Sequence, residues 1–205
     1  LAVSLSGYDY EIIFVNNGSV DRSEDIIRGL ANKDEKVVAV LLSRNFGPET
    51  SCLAGQQYAR GDAIVWVEAD LQDPIDLIPK FIKKWEEGYD IVLGRRNSSS
   101  ENKLMFGIRK LFYKVLKKVS YINIPVNVGT FSLIDAKVNK AMNSLKEKNR
   151  FGRGIRAWVG FKSCEIEYHR HDRKYGKSSY SSIFEYVRHA EKGLFGFSTL
   201  PLELL

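Results

Sequence analysis

The sequence predicts an α/β fold with a mainly parallel sheet flanked by helices. Over residues 1–94, short apolar runs alternate with amphipathic stretches, and this alternation is typical of βαβ units. The chain has 205 residues, of which 44% are hydrophobic and 27% are charged. This length and composition are typical of one globular domain that buries a substantial core.

The first 94 residues contain four predicted strands and three predicted helices. Apolar runs predict strands at 11–15, 36–42, 63–67 and 90–93, and amphipathic runs predict helices at 21–31, 48–59 and 74–87. Asp21 and Glu24 have the spacing of a capping box at the first helix. Asp73 and Pro74 are typical of an N-cap and a first helical residue, which predicts where the third helix begins.

The pattern loosens after Gly94. Two polar, basic segments at 95–103 and 173–180 predict loops. Around them, strands are predicted at 129–134 and 162–168, and helices at 104–119, 151–159 and 181–192. Asp135 is expected to cap a further short helix.

Charge is distributed unevenly along the chain. Residues 1–94 carry 9 Lys and Arg against 16 Asp and Glu, whereas residues 95–205 carry 22 against 9, for an overall net charge of +6. The basic C-terminal half of the chain predicts an anionic partner. The candidates are phosphate groups, an acidic membrane surface and nucleic acid. Nucleic acid is the weakest of the three, because no nucleic-acid motif and no series of aromatic residues accompanies the basic loops. We therefore expect no nucleic-acid partner.

Cysteine and histidine usage argues against a metal centre built on sulfur or imidazole. Cys52 and Cys164 have no metal-ligand spacing, which favours two structural thiols in a reducing compartment. His169 and His171 flank Arg170, and without a nearby cysteine they are interpreted as surface or phosphate-facing residues. No apolar run approaches the roughly 18–20 residues that a membrane-spanning helix requires.

Two carboxylates follow the predicted strand at 63–67. Glu68 and Asp70 are two residues apart, so in an extended backbone both side chains point to one face. At the C-terminal edge of an α/β sheet, such a pair suits a hard divalent cation that bridges phosphates. The alternative is a pair of solvated acids on a strand-to-helix loop, and the spacing alone leaves this alternative open.

Ten segments form a series along nearly the whole chain. They are EIIFVNNGSVDRS (11–23), LSRNFG (42–47), ARGD (59–62), EADLQDP (68–74), WEEGYD (85–90), GTFSLID (129–135), NRFGRG (149–154), WVGF (158–161), RKYGKSSY (173–180) and FSTLPL (197–202). In this order they resemble the family 2 glycosyltransferases of the GT-A fold. The resemblance is greatest to the branch that transfers a sugar from a nucleotide sugar to polyprenyl (undecaprenyl or dolichyl) phosphate.

The resemblance implies a GT-A (Rossmann-like) domain over residues 1–180 and an amphipathic juxtamembrane segment over residues 181–205. It implies that the family's opening strand, and the transmembrane helices that follow the juxtamembrane segment in full-length relatives, lie outside this chain. It places the protein at the cytoplasmic face of the cell membrane, in cell-envelope glycan synthesis. Self-association into a homo-oligomer is compatible with it, since juxtamembrane helices support such contacts in this family.

Donor and metal roles are also implied by the resemblance. Asn17, Glu68 and Asp70 occupy positions that bind the nucleotide sugar, whether UDP- or GDP-linked. Glu68 and Asp70, with Gln72 as a third ligand, occupy the positions that hold Mg²⁺ or Mn²⁺.

Catalytic and acceptor roles fall mainly on the basic half. The implied catalytic residues are Asp70, Arg173 and Lys177. The residues expected to bind the acceptor phosphate are Arg95, Arg96, Arg150, Arg153, Arg173 and Ser178.

Three positions depart from the family pattern. Asn17 and Glu68 stand where the family usually has Asp, and Thr130 stands where many members have an Asp that is proposed as the catalytic base. Threonine is no general base near pH 7, but a phosphate acceptor needs none, because its second pKa is about 6 and it is already largely dianionic. Thr130 therefore favours a phosphate acceptor, and the resemblance implies inverting transfer. The alternative is a degenerate, non-catalytic module that binds a nucleotide or a lipid.

Overall fold

A computed structural model describes residues 7–97, 128–146, 151–171 and 196–197. The strands are β1 (Ile12–Asn16), β2 (Val37–Leu41), β3 (Ala63–Trp66), β4 (Ile91–Arg96), β5 (Val128–Asp135) and β6 (Ser163–Tyr168). The α-helices are α1 (Ser23–Ala31), α2 (Pro48–Gln56), α3 (Ile78–Glu86), α4 (Ala136–Ser144) and α5 (Gly152–Trp158), and a 3₁₀ turn covers Ile75–Leu77.

The strands form two hydrogen-bonded groups. β1 pairs with β2 in parallel, and the other four strands are ordered β3-β5-β4-β6. β5 runs antiparallel to both β3 and β4, whereas β6 is parallel to β4. The α/β class is confirmed, but β5 makes the four-stranded part mixed. An apolar run predicts a buried strand and carries no information on its direction.

The four-stranded sheet is covered on both faces. Along β4, Ile91 and Leu93 join one apolar cluster, whereas Val92 joins the other, as alternation along a strand requires. The first cluster includes Leu53 of α2 and Met142 of α4. Burial on both faces explains why β4 begins as a continuous apolar run, Ile91–Leu93.

The second apolar cluster contains three aromatic rings in contact, those of Phe81, Phe131 and Tyr168. The Phe131 ring lies 4.8 Å from Phe81 and 5.4 Å from Tyr168, the latter with an edge-to-face angle of 80°. A Cβ at Gly94 would lie 2.9 Å from the Phe131 carbonyl oxygen and 3.0 Å from a Tyr168 ring carbon. Glycine at 94 therefore lets β4, β5 and Tyr168 approach closely.

The two capping predictions at acidic residues have different outcomes. Asp135 caps α4 as predicted, because its carboxylate accepts a 2.8 Å hydrogen bond from the Lys137 N–H. The capping box at α1 is wrong. Asp21 instead accepts from the Ser23 N–H at 3.0 Å, two residues on, and the helix begins at Ser23 without a side-chain cap. The Asp21 carboxylate is thus hydrogen-bonded within a local turn that precedes the helix, so it does not cap the helix.

The predicted cap at Asp73 is also wrong. The Asp73 carboxylate is buried and accepts a 2.7 Å hydrogen bond from the Tyr168 hydroxyl. Pro74 has an extended backbone, a 3₁₀ turn follows it, and α3 begins only at Ile78. A tertiary contact across 95 residues has replaced the local one.

The predicted start of a loop at residue 95 is wrong, and residues 98–103 of that loop lie outside the described residues. β4 continues through Arg95 and Arg96, which pair in register with Glu167 and Tyr168 of β6. Arg95 also forms salt bridges with Glu165 at 3.3 Å and Glu167 at 3.6 Å. Opposite charges on adjacent strands allow polar residues to extend the ladder.

Three predictions of secondary structure lie outside the described residues, namely the helices at 104–119 and 181–192 and the loop at 173–180. Within the described ranges, no helix has the length and apolar character needed to cross a bilayer.

We predict that Cys52 is unreactive in the folded protein. It is half-buried and packs against the first apolar cluster, and desolvation, with smaller contributions from Glu49 and Glu68, raises the pKa of its thiol to about 12 from 9.0. The thiolate fraction then falls roughly a thousandfold. A Cys164→Ser variant isolates this thiol, and Ellman's reagent at pH 8 should label it only after unfolding. Rapid stoichiometric labelling of the folded variant would contradict the prediction.

Candidate functional site

Three carboxylates gather just beyond the end of β3. The side chains of Glu68, Asp70 and Asp73 are 33%, 14% and 0% exposed, so the cluster runs from the surface into the interior. Like charges this close destabilise one another unless cations or donors are present. The contacts of these acids therefore define the site.

The turn between the acids has a strained backbone. Leu71 has a φ of 58°, and it is the single non-glycine residue with positive φ in the described part of the chain. This left-handed conformation costs roughly 1–2 kcal/mol for an L-residue other than glycine. The Gln72 N–H donates to Asp70 Oδ1 at 3.2 Å, so the turn brings Asp70 and Gln72 together.

Arg170 contacts all three acids. Its Nη2 donates to Glu68 Oε2 at 3.0 Å and reaches Asp70 Oδ2 at 3.5 Å. Its Nε lies 3.7 Å from Asp73 Oδ1. Because the guanidinium side chain is only 24% exposed, it supplies a largely unscreened positive charge at the centre of the cluster.

Glu68 is held from a second side by β5. The Thr130 hydroxyl donates to Glu68 Oε1 at 2.6 Å, and Thr130 is itself buried. Two donors, Thr130 on β5 and Arg170 in the segment after β6, thus fix both oxygens of the Glu68 carboxylate. The Thr130 hydroxyl therefore already donates its proton to the Glu68 carboxylate.

Asp73 connects the cluster to β4 through Tyr168. The Tyr168 hydroxyl donates to Asp73 Oδ1 at 2.7 Å and accepts from Arg96 Nε at 3.2 Å. Burial raises the pKa of the Asp73 carboxyl and of the Tyr168 hydroxyl above their usual values. Arg96 is thus linked to the acids, whereas Arg95, its neighbour along the strand, pairs with Glu165 and Glu167 of β6.

Gln72 is tied to the chain that follows β6. Its side-chain nitrogen donates to the His171 carbonyl at 3.0 Å, and the His171 N–H donates back to the Gln72 carbonyl at 3.0 Å. These paired bonds join the turn after β3 to the residue that follows Arg170.

Asn17 lies in a separate loop network. Its Oδ1 accepts from the Phe46 N–H at 2.9 Å, and its Nδ2 donates to Asn45 Oδ1 at 3.0 Å. The adjacent Gly18 has a φ of 68°, and a Cβ there would lie 2.4 Å from the Arg44 carbonyl carbon. Asn17 and Gly18 therefore hold the turns after β1 and β2 against each other.

Arg153 is paired with a buried acid. Its Nε lies 2.9 Å from Glu49 Oε1, and their side chains are 18% and 9% exposed. Arg156, one turn further along α5, donates to Ser132 Oγ and to the Gly129 carbonyl. Burial lowers the pKa of Arg156 to about 10.

Four predicted site residues, Arg150, Arg173, Lys177 and Ser178, lie outside the described residues. Of the others, the structure brings together Glu68, Asp70 and Gln72 and links Arg96 to them, whereas Asn17, Arg95 and Arg153 have the separate partners given above. Their roles as ligands of donor, acceptor or metal remain predictions.

The chemistry of Glu68, Asp70 and Gln72 suits a hard divalent cation. Two carboxylates and one amide oxygen are the donor types that Mg²⁺ and Mn²⁺ prefer. The residues that the structure describes contain no group of three His, Cys, Asp or Glu side chains already spaced around a metal position. Arg170 nevertheless shows that a positive charge is accommodated between the two acids.

Sequence reasoning missed Tyr168, Asp73 and Arg170 as members of this site. A signal was present, because Tyr168 and Arg170 are two residues apart at the end of a strand and so project to one side. The spacing does not reveal that these side chains contact the acids after β3, because that contact depends on the parallel pairing of β4 with β6.

Residues 2–142 match the sequence model of the family described as Glycosyl transferase family 2. A prophage bactoprenol glucosyl transferase homolog of Escherichia coli is 40% identical over 98% of this chain, and an uncharacterized glycosyltransferase, YkcC, of Bacillus subtilis is 42% identical over 96%. The chain spans 65% and 61% of the lengths of these relatives.

Solved structures share the fold. Glucosyl-3-phosphoglycerate synthase from Mycobacterium tuberculosis, in complex with Mn²⁺, uridine diphosphate and glucosyl-3-phosphoglycerate, superposes with a TM-score of 0.56 at 15% identity, covering 93% of this chain and 68% of that one. A mannosyltransferase from Pyrobaculum calidifontis, in complex with GDP-Man and Mn²⁺, gives 0.56 at 14% identity, covering 89% and 53%. These similarities confirm the GT-A fold.

We predict that Tyr168→Phe destabilises the protein by about 1–3 kcal/mol, because the buried Asp73 carboxylate loses its hydroxyl donor. Urea unfolding would measure the change. Tyr58→Phe is the matched control, since Tyr58 is 57% exposed and should lose less than about 0.5 kcal/mol. Equal stability of the two variants would show that the hydroxyl has no structural role.

Proposed function

Because the chain belongs to glycosyl transferase family 2, we propose that it transfers a sugar from a nucleotide sugar to a polyprenyl phosphate. Relatives named bactoprenol glucosyl transferases support this acceptor, at 40% identity over 98% of the chain. Neighbours in complex with UDP and with GDP-Man support a UDP- or GDP-linked donor. We further propose that transfer inverts the anomeric configuration.

The contact between Thr130 and Glu68 is the observation that carries this proposal. The threonine hydroxyl donates to the carboxylate at 2.6 Å, at the position where the resemblance puts a proposed base. A hydroxyl acceptor needs a base to remove its proton. A phosphate acceptor arrives ionised, so catalysis requires positioning of the reactants and stabilisation of charge.

Glu68, Asp70 and Gln72 are proposed to hold Mg²⁺ or Mn²⁺, which, when bound, neutralises charge on the departing nucleoside diphosphate. Bound Mn²⁺ in the structural neighbours supports this proposal. Asp70 is proposed to orient the cation, because the bond from the Gln72 N–H fixes its Oδ1.

The remaining predicted residues complete the proposal. Asn17 contacts the donor from the turn after β1, and Arg173 and Lys177 assist catalysis. The acceptor phosphate is proposed to bind positive side chains, which attract it, and one hydroxyl. These residues are Arg95, Arg96, Arg150, Arg153, Arg173 and Ser178. Residues 1–180 form the transferase domain, and residues 181–205 face the cytoplasmic surface of the cell membrane, where self-association would occur.

We predict that Asp70→Asn lowers metal-dependent turnover by at least about a hundredfold, because one charged ligand of the cation is lost. Its fold should persist, since an amide retains the bond from Gln72. Asp76→Asn is the matched control, as Asp76 is exposed and undergoes the same change of charge. Radiolabelled sugar transfer to lipid phosphate would measure turnover in the full-length protein.

Unchanged turnover in Asp70→Asn would remove the metal role. Nucleotide and Mn²⁺ binding by calorimetry, without turnover for any UDP- or GDP-sugar, would instead support the non-catalytic binding module.

The pH dependence of transfer should follow the acceptor. We predict that kcat/KM rises as the pH passes about 6, where the phosphate loses its second proton, and then stays level to about pH 8. An acceptor phosphonate with a higher second pKa should shift this rise upward by the same amount. A profile that is independent of the acceptor's pKa would point to a protein base.

A further inference from the structure

We propose that Arg170 is a resident counter-cation of the metal site, which yields Glu68 and Asp70 to the divalent ion and moves onto Asp73. This inference rests on the metal site of the proposed function. It makes Arg170 a positioning residue that sets how tightly the protein binds its cation before nucleotide arrives.

The guanidinium and a metal ion need the same oxygens. Arg170 Nη2 lies 3.0 Å from Glu68 Oε2 and 3.5 Å from Asp70 Oδ2, so one nitrogen bridges the two carboxylates. A Mg²⁺ ion requires oxygen ligands at about 2.0–2.1 Å. With Thr130 on the other Glu68 oxygen, the ion and Nη2 compete for Glu68 Oε2 and Asp70 Oδ2.

A second position for the guanidinium already exists at Asp73. Among the described residues, Arg170 Nε and Asp73 Oδ2 are both buried polar atoms without a hydrogen-bond partner. Nε lies 3.7 Å from Asp73 Oδ1, just beyond hydrogen-bonding distance. A small shift toward Asp73 would give Arg170 a charge-assisted bond as it leaves the outer acids.

Charge balance favours the same exchange. With all three carboxylates ionised, Arg170 leaves the three acids with two formal negative charges, which a divalent ion would balance. Arg96, linked to Asp73 through Tyr168, is present in both arrangements and does not alter the difference between them. Arg170 therefore stays in the cluster when metal binds and changes partners within it. The two arrangements compete for Glu68 and Asp70, so removal of the arginine must tighten metal binding.

Calorimetric titration with Mn²⁺, without nucleotide, tests this competition. Arg170→Gln should bind Mn²⁺ about tenfold more tightly than the unmodified protein. Arg170→Lys retains the charge and should stay closer to the unmodified protein. Arg60→Gln is the matched control, because Arg60 also pairs with a carboxylate, that of Glu11, and its loss should leave the affinity unchanged.

Equal or weaker binding by Arg170→Gln overturns the counter-cation role while leaving the metal site intact. Absence of Mn²⁺ binding in every variant overturns both this inference and the metal site of the proposed function. These two failures are therefore distinguishable.

A second measurement follows the guanidinium directly in the unmodified protein. The ¹⁵N NMR resonance of Arg170 Nε, assigned by its absence in Arg170→Lys, should move on addition of Mg²⁺ as the Nε–H pairs with Asp73. An unmoved resonance at saturating Mg²⁺ would contradict the exchange.

Discussion

The ion pairs of Arg170 hold the candidate site in one arrangement. Three carboxylates of decreasing exposure follow β3, and this single guanidinium lies against all of them. In a partly desolvated setting, such charges are costly unless they are paired and hydrogen-bonded. The geometry of the turn after β3 and the position of the chain after β6 both depend on these ion pairs.

The direction of β5 explains how distant residues meet there. Because β5 runs antiparallel between β3 and β4, it carries Thr130 to Glu68 across 62 residues of sequence. The same strand presents Ser132 to the buried Arg156. A parallel strand in this place would begin where β5 ends, and its polar residues would lie at the other edge of the sheet.

Much of the fold was predictable from periodicity, because a strand buried on two faces and a helix with one apolar face leave distinct patterns. Asp135 was predictable as a cap, since its partner is two residues away. Asp73 was not, because its hydroxyl donor lies 95 residues on. The same limit applies to the site. Local spacing pointed to Glu68 and Asp70, but Arg170 reaches them through the pairing of β4 and β6 and the bonds between Gln72 and His171, which local spacing does not reveal.

The left-handed backbone at Leu71 has a consequence for engineering. Glycine or asparagine would adopt this conformation at a lower steric cost, so substitution of Leu71 is a route to higher thermal stability. The leucine side chain is 61% exposed and contributes little packing that such a change would sacrifice. Glycine would also loosen the turn that joins Asp70 to Gln72, so a more durable variant would hold this pair of side chains less firmly.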